Sequence, residues 1–166
     1  MKPLHALGAL LIVVMWGFNF TAIRFGLDEY QPFTFATWRF ALAALPVLFV
    51  PRPAVSWATL AGIGTLMFGG QFVFLFFAMQ AGLPPGLTSV LVQLQGPLTV
   101  VLAALFLREH ATTAQWTGLV IAGIGVVVIA RSVEGNASVF AVVLALGSAL
   151  SWAAGNLVFR SARGVS

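Results

Sequence analysis

Six runs of apolar residues divide the chain: Leu4–Ile23, Phe33–Val50, Trp57–Met79, Leu87–Leu107, Ala114–Ala130 and Val139–Phe159. A helix needs about 20 mostly apolar residues to cross a bilayer. The pattern therefore predicts an all-α bundle of six transmembrane helices. The breaks fit that reading. "DEYQP" carries two acids and a proline, and "PRP" sets Arg52 between two helix breakers. "AGLPPG" is an uncharged tight turn, and "REHATT" offers Thr112 and Thr113 as helix N-caps. "RSVEGNAS" reads as a polar loop. The short third and fifth loops predict antiparallel neighbours.

Composition agrees. Of 166 residues, 60% are hydrophobic and 7% charged, against about 25% charged in a soluble domain. Such a chain cannot clothe a soluble surface, so lipid is its solvent. A net charge of +4, scattered along the chain, is no nucleic-acid footprint. The absence of cysteine excludes disulfides and thiolate chemistry. The first run is longer than the roughly 7–15 apolar residues of a signal peptide. It ends in Trp16, Phe18 and Phe20 rather than in a small-residue cleavage site.

The cations give a topology. With the N-terminus inside, Lys2, Arg52, Arg108, Arg160 and Arg163 are cytoplasmic, and Arg24 and Arg131 lie outside. That bias predicts cytoplasmic N- and C-termini.

The chain also carries a faint internal repeat. Placing Trp16 on Trp152 sets Arg24 on Arg160, and the surrounding stretches read "VMWGFNFTAIR" and "LSWAAGNLVFR". Each has an aromatic start, one asparagine and a closing arginine, with the asparagines one position out of register. The second copy comes after five spans, an odd number, so it enters the membrane inverted. Inverted repeats build many secondary transporters.

Several blocks carry a family resemblance: "WGFNFTAIRFGL", "RFALAALP", "GGQFVFLFFAMQAGLPPGLTSVLVQLQGPLTV", "REH" and "SWAAGNLVFR". On these residues the chain resembles the EamA-type branch of the drug/metabolite transporter superfamily, close to the O-acetylserine/cysteine exporter group. "REH" replaces the more usual Gly-Glu-Arg order but keeps the acid, Glu109. The resemblance implies ten helices in two five-helix repeats, and export of amino acids or related metabolites through a cavity between them. On that pattern residues 1–132 form the first repeat and residues 137–166 the first helix of a second. Helices seven to ten would then lie outside this sequence.

Polar groups at bilayer depth mark candidate chemistry, because they must face the bundle interior or a watery cavity. Trp16 and Asn19 share a face of the first span. Arg24 closes that span, with Asp28 one turn on as its partner. Arg39 lies inside the second span. Either it snorkels to the outer headgroups, or it stands at a cavity mouth and holds a substrate carboxylate. Gln71 falls in mid-span three. Gln93 and Gln95 are about 200° apart around span four, so one of them is interhelical glue. Pro97 breaks the backbone ladder just beyond them. Trp152 and Asn156 repeat the aromatic–amide pair in span six. The rows Ala61, Thr65, Gly69 and Gly147, Ser151, Gly155 predict close helix packing.

No metal-ligand pair, catalytic triad or phosphate loop is present, so no cofactor and no enzyme chemistry are expected. No acid lies inside a predicted span, which argues against carboxylate-based proton coupling. The reading is an inner-membrane exporter, or half of one, working by alternating access. Its cavity would be lined by Trp16, Asn19, Arg39, Gln71, Gln93 or Gln95, Trp152 and Asn156. Expected partners are the lipid bilayer, a small metabolite, and either a second copy or a second half, with no nucleic acid. The rival is a non-transporting subunit that docks a partner through an exposed sixth helix. In either case Asn156 is expected to face lipid unsatisfied when this stretch stands alone.

Overall fold

The computed structural model describes residues 3–51, 55–132 and 139–163. Among them every regular element is helical. Helix α1 (Pro3–Glu29) is followed by α2 (Pro32–Ala44), which tightens into a 3-10 turn over Leu45–Leu48. The third apolar run forms α3 (Trp57–Ile63), a π-helical turn (Gly64–Gly70) and α4 (Gln71–Gln80). The fourth forms α5 (Pro85–Val92) and α6 (Gln95–Phe106). Helices α7 (Thr113–Ser132) and α8 (Val139–Arg163) complete the bundle. Five of these units are long and apolar enough to cross a membrane, whereas Pro32–Leu48 is a shorter apolar helix. The chain is a multi-pass helical membrane protein. Lys2, Arg52, Glu134 and most of the "RSVEGNAS" loop lie outside the described residues.

Local chemistry sets the boundaries. Thr112 caps α7 reciprocally: Gln115 N–H donates to Thr112 Oγ1 (3.3 Å), and Thr112 N–H donates to Gln115 Oε1 (2.7 Å). Helix α4 ends where Gly82 takes φ 94°, a left-handed value glycine adopts without strain. Leu83 N–H then reaches back to Ala78 O (3.1 Å) and Gly82 N–H to Met79 O (3.1 Å). These bonds satisfy terminal carbonyls and bury Leu83 against α8. Helix α1 runs past the predicted end at Ile23 to Glu29, since "FGLDE" holds no helix breaker before Tyr30.

Helix α4 packs on two sides. One face joins Phe20, Ile23 and Leu27 of α1 in a cluster with Phe72, Leu75, Phe76 and Met79, onto which Phe35 and Phe40 of α2 pack. The other face carries Ala78 into a cluster with Leu83, Leu91, Ala141, Val142 and Ala145. Helix α8 therefore lies inside the bundle, against α4, α6 and the π turn. It is the most buried of the five membrane-length helices, although Val139, Phe140, Val143, Leu150 and Phe159 leave it an exposed apolar face.

One predicted packing row holds and the other does not. A Cβ at Gly147 would meet the Phe74 ring at 3.1 Å, and one at Gly155 would collide with Met67. Ser151 Oγ donates to Leu66 O (2.8 Å). Across from them, however, Ala61 and Thr65 are exposed. The contacts come instead from Gly62, Leu66, Met67 and Gly70. The packed face is set before the π turn, since Gly62 of α3 already lies against Val158 of α8, one residue on from Ala61.

Candidate functional site

The site is built around a pair of tryptophans. Trp16 of α1 and Trp152 of α8 stack with ring centroids 6.0 Å apart and planes inclined by 26°. These are the residues that the internal repeat superposes. Two adjoining cavities border this pair and share Trp16, Phe20, Val92 and Trp152.

The first cavity, about 370 Å³, gathers Asn19, Arg39 and Gln71 with Trp16, Phe72 and Trp152. Arg39 Nη2 donates to Asn19 Oδ1 at 2.9 Å. Its Cζ lies 4.7 Å from the centroid of the Phe72 ring, a cation–π distance. Phe72 is itself fixed by edge contacts to Phe40 and Phe76 at 5.2 and 5.5 Å. Arg39 is thus turned into the bundle and does not snorkel outward. A guanidinium presents five donors, and one bond to Asn19 leaves the others free to meet a ligand. Gln71 is 2% exposed, and its Oε1 has no hydrogen-bond partner. It is the first residue after the π turn, and its N–H bonds Leu66 O, five residues back.

The second cavity, about 350 Å³, is lined by Val13, Gly17, Ser89, Val90, Gln93 and Gln95 besides the shared residues. It lies where span four breaks. Gln93, Leu94 and Gly96 bond three residues back rather than four (3.2, 3.1 and 3.2 Å), because Pro97 has no N–H to give Gln93 O. The predicted irregularity is therefore present, at Gln93–Leu94.

Hydrogen bonding separates the two glutamines. Gln95 Oε1 accepts from Asn156 Nδ2 (3.1 Å), which also bonds Thr99 Oγ1 (3.1 Å). Thr99 in turn donates to Gln95 O (2.6 Å). Gln95 fastens α6 to α8, and Gln93 is exposed beside the cavity. Two expectations are corrected here. Asn156 lines neither cavity, and it does not face lipid unsatisfied, because the central position of α8 places it against Gln95 and Thr99. Thr99 could have been found in the sequence, since it falls one helical turn after Gln95.

The arginines that close the two repeat stretches fasten the bundle's ends. Arg24 pairs with Asp28 (3.1 Å) as predicted and also donates to Met79 O (3.1 Å), tying α1 to α4. Arg160 Nη2 lies 2.8 Å from both carboxylate oxygens of Glu109.

An EamA-like transporter family model matches residues 4–131. A "probable amino-acid metabolite efflux pump" of Salmonella typhimurium is 41% identical over 90% of this chain and 51% of its own length. The protein of the same description in Escherichia coli is 40% identical over the same shares. A "probable terminal-alkyne amino-acid exporter" of Streptantibioticus cattleyicolor is 37% identical over 78% of this chain and 46% of its own. The chain spans about half the length of the curated relatives it matches. No solved structure matches it. With most of the sequence inside the family model, and the helical bundle that such a sequence dictates, the chain belongs to the EamA-like transporter family.

Proposed function

We propose that this chain supplies one substrate-facing wall of an inner-membrane exporter of amino acids or related small metabolites, working by alternating access. Residues 1–132 act as the first repeat, and residues 137–166 begin the second. A second half or a second copy completes the path, and both termini of the described stretch face the cytoplasm. The family and the names of its relatives support transport rather than catalysis. The observation that carries the reading is the Arg39–Asn19 pair in a mostly apolar cavity beside the Trp16–Trp152 stack. A guanidinium held by a neutral amide keeps its positive charge available, and a carboxylate is its natural bidentate partner. The aromatic and aliphatic lining suits the rest of a small organic acid.

Export from cells carrying the full transporter tests this. Arg39→Ala removes charge-assisted bonds worth about 1.5–3 kcal/mol, or roughly tenfold to hundredfold in affinity. Carboxylate solutes are expected to lose export by that factor, and neutral ones to keep it. Equal export of both would refute the reading. Reporter fusions at Arg52 and Arg108 are expected to read cytoplasm, and those at Asp28 and Glu134 the far side. A far-side signal at Arg108 would reverse the orientation.

A further inference from the structure

We infer that the second cavity is the subsite for the substrate's side chain, so that the site favours carboxylates with a long, uncharged apolar tail. The inference rests on the reading of Arg39 as the carboxylate ligand. The two cavities meet along Trp16, Phe20, Val92 and Trp152, which line both. Phe20 and Val92 are buried, but Trp16 is 50% exposed. A ligand whose carboxylate pairs with Arg39 can therefore lie across Trp16 and carry its tail into the second cavity.

The two cavities differ in charge. Arg39 gives the first a cation, whereas among the described residues no charged side chain lines the second. The polar groups of the second are neutral and partly engaged. Ser89 Oγ donates to Gly86 O (2.7 Å), and Gln95 Oε1 accepts from Asn156. Val13, Val90 and the shared aromatic rings make up most of the rest. Such a lining takes methylenes but offers no counterion to a second charge, and an unpaired charge taken out of water is costly. Glycine makes the room. Gly17 lines the second cavity and not the first, and nothing lies within 4 Å of the position its Cβ would take. A larger residue there would occupy the space that the tail needs.

The test uses the purified protein in lipid nanodiscs, with tryptophan fluorescence as the readout because Trp16 and Trp152 border both cavities. The probes are butanoate, octanoate and octanedioate. Each methylene moved out of water is worth about fourfold in affinity. Wild type is expected to bind octanoate at least about tenfold more tightly than butanoate, because the open cavity covers part of the longer tail. Octanedioate, with a second charge at the end of the tail, is expected to bind no better than butanoate. Gly17→Leu is expected to remove the preference for octanoate. Partitioning of octanoate into lipid is the same for both proteins and cannot mimic that change. Arg39→Ala should weaken all three probes. The inference falls if wild type binds octanoate no better than butanoate, if octanedioate binds as tightly as octanoate, or if Gly17→Leu keeps the preference. In those cases the carboxylate reading stands as long as Arg39→Ala weakens binding. If Arg39→Ala changes no affinity, the carboxylate reading falls and takes the inference with it. If Gly17→Leu fails to fold, the comparison of probes on wild type decides.

Discussion

The two stretches that share a pattern, Trp16–Asn19–Arg24 on α1 and Trp152–Asn156–Arg160 on α8, end in different surroundings. The tryptophans meet each other. The asparagines part ways: Asn19 accepts from Arg39 and lines a cavity, whereas Asn156 donates to Gln95 and Thr99 and lines neither cavity. One residue of register explains it. Asn19 comes three residues after its tryptophan and Asn156 four, so the amides lie about 100° apart around their helices. The helices themselves also differ. Helix α8 is packed among α4, α6 and the π turn, while Leu7, Leu11, Val14 and Phe18 leave much of α1 exposed. A shared motif therefore lines a cavity in one place and ties helices in the other, and the neighbours determine which is which.

The sharpest way to break this comparison is through glycine. Gly155 on α8 lies against Met67, where a Cβ would collide with its side chain and crowd its backbone N at 3.1 Å. Gly17 on α1 has nothing within 4 Å of that position. Gly155→Leu is expected to cost about 1–3 kcal/mol or more, as overpacking does. Gly17→Leu should melt close to wild type, because the added side chain enters the open space of the second cavity. Thermal melts in detergent measure both. Equal melting of the two variants would mean that α8 is not the central helix.

The same contrast separates the features legible in the sequence from those that are not. Periodicity and hydropathy are local, and they predict the helical bundle, the Thr112 cap, the Arg24–Asp28 pair and the break near Pro97. The cavity set of Trp16, Asn19, Arg39, Gln71 and Trp152 is also legible, because polar groups inside apolar runs have few places to go. The illegible part depends on which helix sits in the middle. No spacing rule places α8 between α4 and α6, so sequence alone sends Asn156 to the cavity and cannot choose between lining and glue for Gln95. The π turn is hidden as well. Its seven residues, "GTLMFGG", read as ordinary span. Phe72 passes for one more aromatic in "FVFLFF", since its role depends on Arg39 arriving from α2.

A medium effect sharpens the comparison of the two amides. Asn156→Ala strands Gln95 and Thr99, and interhelical hydrogen bonds in membranes average about 0.6 and reach about 1.7 kcal/mol. The expected result is a modest loss of melting temperature with ligand affinity nearly unchanged. Asn19→Ala should do the reverse, weakening ligand binding because Arg39 loses the acceptor that aims it. Measuring stability and affinity on both variants gives a two-by-two outcome. If both variants lose affinity in equal measure, the division of labour drawn from their partners is wrong.

The smallest effect belongs to the arginines that close each stretch. Arg160 and Glu109 are 46% and 45% exposed in their side chains, so solvent and headgroups screen most of their attraction. Exposed ion pairs contribute about 0–1 kcal/mol. A double-mutant cycle of Arg160→Gln with Glu109→Gln is expected to give a coupling in that range, falling as salt rises. Arg24 differs, because besides the exposed pair with Asp28 it donates to Met79 O, a backbone carbonyl at the end of α4. Replacing it removes a tie to a neutral acceptor, which salt screens less. Arg24→Gln should therefore cost somewhat more than Arg160→Gln, and the excess should persist at high ionic strength. If salt abolishes both losses equally, the Met79 bond contributes nothing, and the two ends of the repeat are held by charge alone.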